Sequence, residues 1–301
     1  MKIRHSKGMI DGVFTFKKII TISLLSVLLT ACGGSNQSVQ KSISGPNGDA
    51  SLMNQHPDSL YKLGVGFESS GDAAQALSFF GQAAAAAPTH VPSWLGIGRI
   101  LKKMGNNGGA RLAFNDALAA NPNDVSLVLA ASEIEILDDH ASSAIIKMAP
   151  IVNHPDYRIS NLLGVASEMM GSQTVARDYY SDALSYNPNA PDVLSNLALS
   201  FAFSGDQVTA VALLQENLQR SDYKDLALEY LAIIYAVDGQ MDAAMAIAND
   251  LFGRADAISN ASFYEALQYL TPQMRARAVY TKRLTDDMRA IANRKRSEHN
   301  H

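Results

Sequence analysis

Six positions of this chain recur at a spacing of 34 residues, and that period constrains the fold more than any other feature. Gly64, Gly71, Ala76, Phe80, Ala83 and Pro88 return as Gly98, Gly105, Ala110, Phe114, Ala117 and Pro122, and once more as Gly164, Gly171, Ala176, Tyr180, Ala183 and Pro188. A period of this length describes one supersecondary unit. Such a unit cannot bury its apolar face alone and must stack on its neighbours.

Each recurring position has a steric reason. Gly64, Gly98 and Gly164 let the first helix of a unit approach the second, and Ala76, Ala110 and Ala176 do the same from the other side. Gly71, Gly105, Gly171, Gly205 and Gly239 end the first helix, where a left-handed turn costs glycine nothing. Pro88, Pro122 and Pro188 stop the second helix. Phe80, Phe114 and Tyr180 fill the space between consecutive units.

With Trp94 at its tryptophan position, the pattern resembles the tetratricopeptide repeat (TPR). The resemblance implies an all-α fold, a right-handed α-solenoid of about six TPR units with C-terminal capping helices. The units fall at 57–90, 91–124, 125–156, 157–190, 191–224 and 225–258. The third is short and carries Ser132 and Asp139 in place of glycines, so it is expected to be distorted or to hinge. The sixth lacks its closing proline. Two further helices are expected at roughly 260–270 and 272–296, the second opened by Thr271 and Pro272. Phe263, Leu267 and Leu270 are expected to cover the face that the last unit leaves exposed.

Ahead of the array lies a targeting segment. Lys2, Arg4, Lys7, Lys17 and Lys18 precede an apolar run from Ile19 to Leu29. That run is too short for a membrane span, which needs roughly 20 residues, but suits a signal-peptide core. It closes on Leu29-Thr30-Ala31-Cys32, which resembles the lipobox of bacterial lipoproteins. The resemblance implies a signal peptide over 1–31, cleavage before Cys32 and acylation of this single cysteine by palmitate-type chains. Translation starts at Met1 or at Met9. Gly33, rather than aspartate, follows the lipidated cysteine, which implies the outer membrane, with the body on its periplasmic side. Several acyl chains anchor stably where one does not. Residues 32–52 read as the lipidated cysteine and a flexible tether, 53–258 as the array, and 259–301 as capping helices with a basic tail.

No catalytic or metal-binding pattern emerges. The histidines are scattered, without ligand spacing. Gly64-Val65-Gly66 and Gly96-Ile97-Gly98 fall inside expected helices and follow no strand, so they are not a nucleotide loop. Asp138-Asp139-His140 reads as a solvated turn. The chain is therefore read as a non-enzymatic protein without cofactor. Residues 32–272 hold 12 basic and 25 acidic side chains, whereas 273–301 hold 8 basic and 3 acidic. This balance argues against nucleic acid. The basic tail has three readings: a solvated helix end, a contact with an acidic partner or with the array's own acidic surface, or a contact with anionic lipid.

Resemblance to TPR proteins also implies a binding face, the concave surface lined by the first helix of each unit. Its expected residues in the N-terminal half are Tyr61, Lys62, Val65, Leu95, Arg99 and Lys102, a mixed and basic set. In the C-terminal half they are Asn161, Leu162, Val165, Met169, Leu199, Phe203, Tyr230 and Ile233, a largely apolar set suited to an amphipathic helix. The ninth position of the units is never asparagine, so a clamp for a C-terminal carboxylate is not expected. Two stretches narrow the family. Ser195-Asn196-Leu197-Ala198-Leu199-Ser200-Phe201-Ala202-Phe203-Ser204-Gly205-Asp206 and Leu231-Ala232-Ile233-Ile234-Tyr235-Ala236-Val237-Asp238-Gly239-Gln240 resemble TadD, the TPR lipoprotein of tight-adherence (Flp) pilus systems. That resemblance implies a scaffold that assists pilus assembly, as a pilotin for the outer-membrane secretin or with another pilus-assembly protein. The alternative is a TPR lipoprotein adaptor for barrel assembly or for envelope enzymes.

Overall fold

The computed structural model describes residues 56–299. The expected signal peptide, Cys32 and the whole of the expected tether lie outside the described residues. Within these bounds the chain is helical, without a strand. Six helix pairs follow the 34-residue frame. They are α1 (Pro57–Ser69) with α2 (Ala73–Ala86), α3 (Val91–Lys103) with α4 (Asn107–Ala120), and α5 (Val125–Leu137) with α6 (Ala141–Met148), the last extended by a 3-10 turn at Ala149–Ile151. Then come α7 (Tyr157–Met169) with α8 (Gln173–Tyr186), α9 (Pro191–Phe203) with α10 (Gln207–Gln219), and α11 (Lys224–Val237) with α12 (Met241–Phe252). Three more helices close the chain: α13 (Arg254–Leu267), α14 (Pro272–Thr281) and α15 (Asp286–His299).

Local signals place the ends of these helices. Asp72, Asn106, Asp124 and Asp206 each accept a backbone N–H of the turn that follows them, a cap that contributes about 1 kcal/mol. The five turn glycines have φ between +73° and +89°. In the third unit Asp139 takes the same left-handed conformation, at φ +67°, where a side chain costs energy.

Gly64, Gly96, Gly98 and Gly164, inside the helices, are packed against by rings. A Cβ on Gly64 would lie 2.5 Å from the Phe80 ring, and one on Gly96 would lie 2.8 Å from its other edge. Phe80 is thus wedged between its own unit and the next, which gives Gly64 and Gly96 their physical reason. Phe114 against Gly98 and Tyr180 against Gly164 repeat the joint. In the third unit Ser132 replaces the glycine and Met148, fully buried, replaces the ring. A flexible thioether fits where a rigid ring would clash.

The first helix of each unit also touches the first helix of the next, from α1 through to α13, and these form the inner face. Phe263, Leu267 and Leu270 are buried at the end of the array. The expected single helix over 272–296 is instead two helices. Lys282 adopts a left-handed conformation (φ +54°) that ends α14, and the Thr285 hydroxyl accepts the Met288 N–H at 3.3 Å to start α15. This break redirects the chain. α15 packs on α13, whereas α14 turns back and lies on the inner face, against α5, α7 and α9.

Candidate peptide-binding face

The inner face has two halves with different fates. In the N-terminal half Lys62 is exposed, and Tyr61, Val65, Leu95, Arg99 and Lys102 are half-buried. The Tyr61 ring packs 5.5 Å from Phe80 and from His90. The expected basic character is cancelled locally. Arg99 donates to both Glu68 oxygens, at 2.8 and 2.5 Å, Lys103 lies 3.5 Å from the same carboxylate, and Lys102 reaches Glu133 at 2.8 Å. The hydrogen bonds from Arg99 hold the Glu68 carboxyl below its ordinary range.

In the C-terminal half the expected contact residues are covered. Val165, Met169, Leu199, Phe203 and Ile233 are at most 5% exposed, so they are core and not an open groove. The reason is α14. Its small residues Ala276, Ala278 and Val279 are buried, which lets its backbone approach α7 and α9 closely. Its polar side chains then grip the array. Gln273 donates to the Met169 carbonyl at 3.3 Å. Arg275 donates to the carbonyls of Leu267 (2.8 Å), Gln268 (2.9 Å) and Phe203 (3.2 Å), which lie at the C-terminal ends of α13 and α9. A cation is favourable at these negative helix ends, although burial pulls the Arg275 guanidinium below its ordinary range. Arg277 forms an ion pair with Asp139. The Tyr280 hydroxyl lies 3.2 Å from that of Tyr180, which reaches it past Gly164. Burial raises both phenols.

Leu162 and Tyr230 stay half-buried and line what remains of the groove, together with Asn161. This cavity of about 310 Å3 lies between α5, α7, α9, α11 and the end of α14, with Ile136, Val165, Leu226, Ile233 and Val279 in its walls. A polar ladder crosses it. Asn161 donates to Asp192 at 3.1 Å, Asn196 donates to Asn161 at 2.9 Å, and the Tyr230 hydroxyl donates to Asn196 at 3.3 Å. Sequence reasoning missed Asn196 and Tyr280; it read Asp139 as part of a solvated turn, whereas that carboxylate is largely covered and paired with Arg277, and of its three readings of the basic tail Arg277 follows contact with the array's own acidic surface. The available signal was an aspartate at a glycine position in an acidic array that ends in a basic tail.

One other cluster has the residue types of a hydrolase. His90 lies 2.7 Å from the Ser93 hydroxyl and 3.0 Å from Asp58. Ser93 is fully buried in the first turn of α3, so no substrate reaches it; the cluster ties α1 to the start of α3. Among the described residues no group of His, Cys, Asp or Glu is arranged to hold a metal, and no helix is long and apolar enough to cross a membrane.

A tetratricopeptide-repeat family model matches residues 68–132. Among solved structures, PilW, described as a widely conserved type IV pilus biogenesis factor, aligns with a TM-score of 0.55 at 19% identity, over 66% of this chain and 93% of that one. PilF of Pseudomonas aeruginosa aligns at 0.52 and 18%, over 67% and 95%. Cut9–Hcn1, the APC/C hetero-tetramer, aligns at 0.57 and 14%, over 68% of this chain and only 43% of that one. Likeness that extends over such different proteins at such identities is likeness of fold. No curated protein matches the chain. The fold is an all-helical TPR array, the architecture of a protein-interaction scaffold.

Proposed function

We propose that the chain is a lipid-anchored, non-enzymatic scaffold of pilus assembly, carried on Cys32 at the periplasmic side of the outer membrane, that holds a helical segment of a partner on its inner face. The observation that carries this reading is α14. The inner face already holds a short helix, gripped by helix-end carbonyls and by Asp139, so its shape and chemistry suit a helix. PilW, a pilus biogenesis factor, has this fold over nearly its whole length, so the fold is compatible with that setting. The TadD-like segments favour a tight-adherence system, with the secretin as partner and this chain as its pilotin.

The test is capture of the secretin's C-terminal segment by the full chain and by a Leu162→Asp, Leu226→Asp variant. Both leucines line the remaining cavity and are half-buried, so the array tolerates the change better than at Leu199 or Ile233, which are core. Capture by the unmodified chain and loss in the variant support the reading. Equal capture refutes the groove as the site, and no capture by either refutes the secretin as the partner.

A further inference from the structure

We infer that α14 is an internal ligand, which a partner's basic amphipathic helix displaces from the inner face. The inference rests on the reading of the inner face as the partner site, and it adds what the partner must look like.

Charge is the first argument. Residues 272–283 carry Arg275, Arg277, Lys282 and Arg283 and no acid, and they lie on an array with 25 acidic against 12 basic residues over 32–272. The groups that meet Arg275 and Arg277 under α14 are the Asp139 carboxylate and the carbonyls of Phe203, Leu267 and Gln268, and they select a basic helix. Geometry is the second. Asp139 occupies a position that is glycine in five other units and takes a strained left-handed backbone there, and its carboxylate receives Arg277. A recognition residue stands where the fold alone would place glycine.

Strength is the third. The joints between units bury Phe80, Phe114 and Tyr180 outright, whereas α14 contributes two buried alanines and a valine, with Met274 and Tyr280 only partly buried beside them. α14 is a single helix of 10 residues held on one side, whereas the units beneath it are packed between neighbours, so α14 is the element that opens at the lower cost. Its 10 residues are also too few for a stable isolated helix, so released α14 opens as a strap between α13 and α15. What retains it is tethering, which gives it an effective concentration of roughly millimolar. A partner with larger binding area, small residues on its contact face and an arginine set for Asp139 overcomes that advantage.

A labelled peptide of residues 270–284, titrated by fluorescence anisotropy against full chains, tests this. Arg277→Ala in the chain weakens only the internal copy, so the peptide, which retains Arg277, is expected to bind that chain about fivefold more tightly than the unaltered one, the worth of one partly exposed ion pair. Asp139→Ala weakens internal and added copies alike, so no gain is expected there. Equal binding to the Arg277→Ala and unaltered chains overturns the inference. Hydrogen exchange on the unaltered chain tests it without any variant: α14 amides are expected to exchange at least tenfold faster than those of α7, and equal protection overturns it. Peptide binding as described, with no capture of the secretin segment, leaves this inference standing and removes the pilus partner. The converse result does the opposite.

Discussion

Arg277 reaches across 138 residues of chain to donate through Nε to both carboxylate oxygens of Asp139, at 2.9 and 3.1 Å. The two residues belong to the two parts of the sequence that fit the repeat least, the irregular third unit and the basic tail. Each accounts for the other. Asp139 departs from glycine because its side chain is used, and the tail is basic because its first turns lie on an acidic array. The guanidinium is raised further from titration by its hydrogen bonds to Asp139.

A double-mutant cycle on this pair is expected to give a coupling of about 1 kcal/mol in chemical denaturation, modest because Arg277 is 37% exposed. Asp139→Gly is expected to be more stable than Asp139→Ala by roughly 1 kcal/mol, because both lose the ion pair but only alanine keeps the left-handed strain. Equal stabilities would show that the turn tolerates a side chain freely.

Two glycines in corresponding helices are expected to respond with opposite signs. Gly164→Ala drives a Cβ into the Tyr180 ring and is expected to cost roughly 1–3 kcal/mol, with part recovered by Tyr180→Leu in the same chain. Gly66→Ala meets nothing within 4 Å and lies within α1, so a gain of about 0.5–1 kcal/mol is expected. Thermal melts of the two variants check both.

Glu168, fully buried on α7, is a liability at neutral pH. Burial raises its carboxyl above the ordinary range, and neither oxygen has a hydrogen-bond partner; Ser200, Arg177 and Gln173 nearby offset only part of the cost. A carboxyl with a raised folded-state pKa favours folding below its unfolded pKa and loses that contribution as pH rises through the folded value. Glu168→Gln is therefore expected to raise the melting temperature at pH 7, with the gain shrinking as pH falls through the carboxylate range. A gain that is the same at pH 4 and pH 7 would assign the effect to packing instead.

Cys32→Ser is expected to move the chain from the membrane to the soluble fraction, with the circular dichroism of the array unchanged. Persistence in the membrane fraction would refute lipid anchoring, whatever the inner face holds.

The repeat made most of the fold legible in advance, because its determinants are local or one unit away. A glycine needs a ring 16 residues later, as Gly64 needs Phe80, and a left-handed glycine ends each first helix. Those relations recur, so the 34-residue period exposes them. The inner face was legible only as a surface: the A-helix positions line it, but whether they are open or covered depends on where the tail goes. That was settled by Lys282, whose left-handed turn breaks an expected long helix, and by Arg275 and Arg277, whose partners lie on α9, α13 and the third unit. Such contacts occur once, between residues far apart in the chain, and leave no period to read. The sequence by itself determined a stacked helical array. Only the tertiary structure decided that Val165, Met169, Leu199 and Phe203 are buried, because only folding brings the chain's own basic helix onto α7 and α9, which carry them.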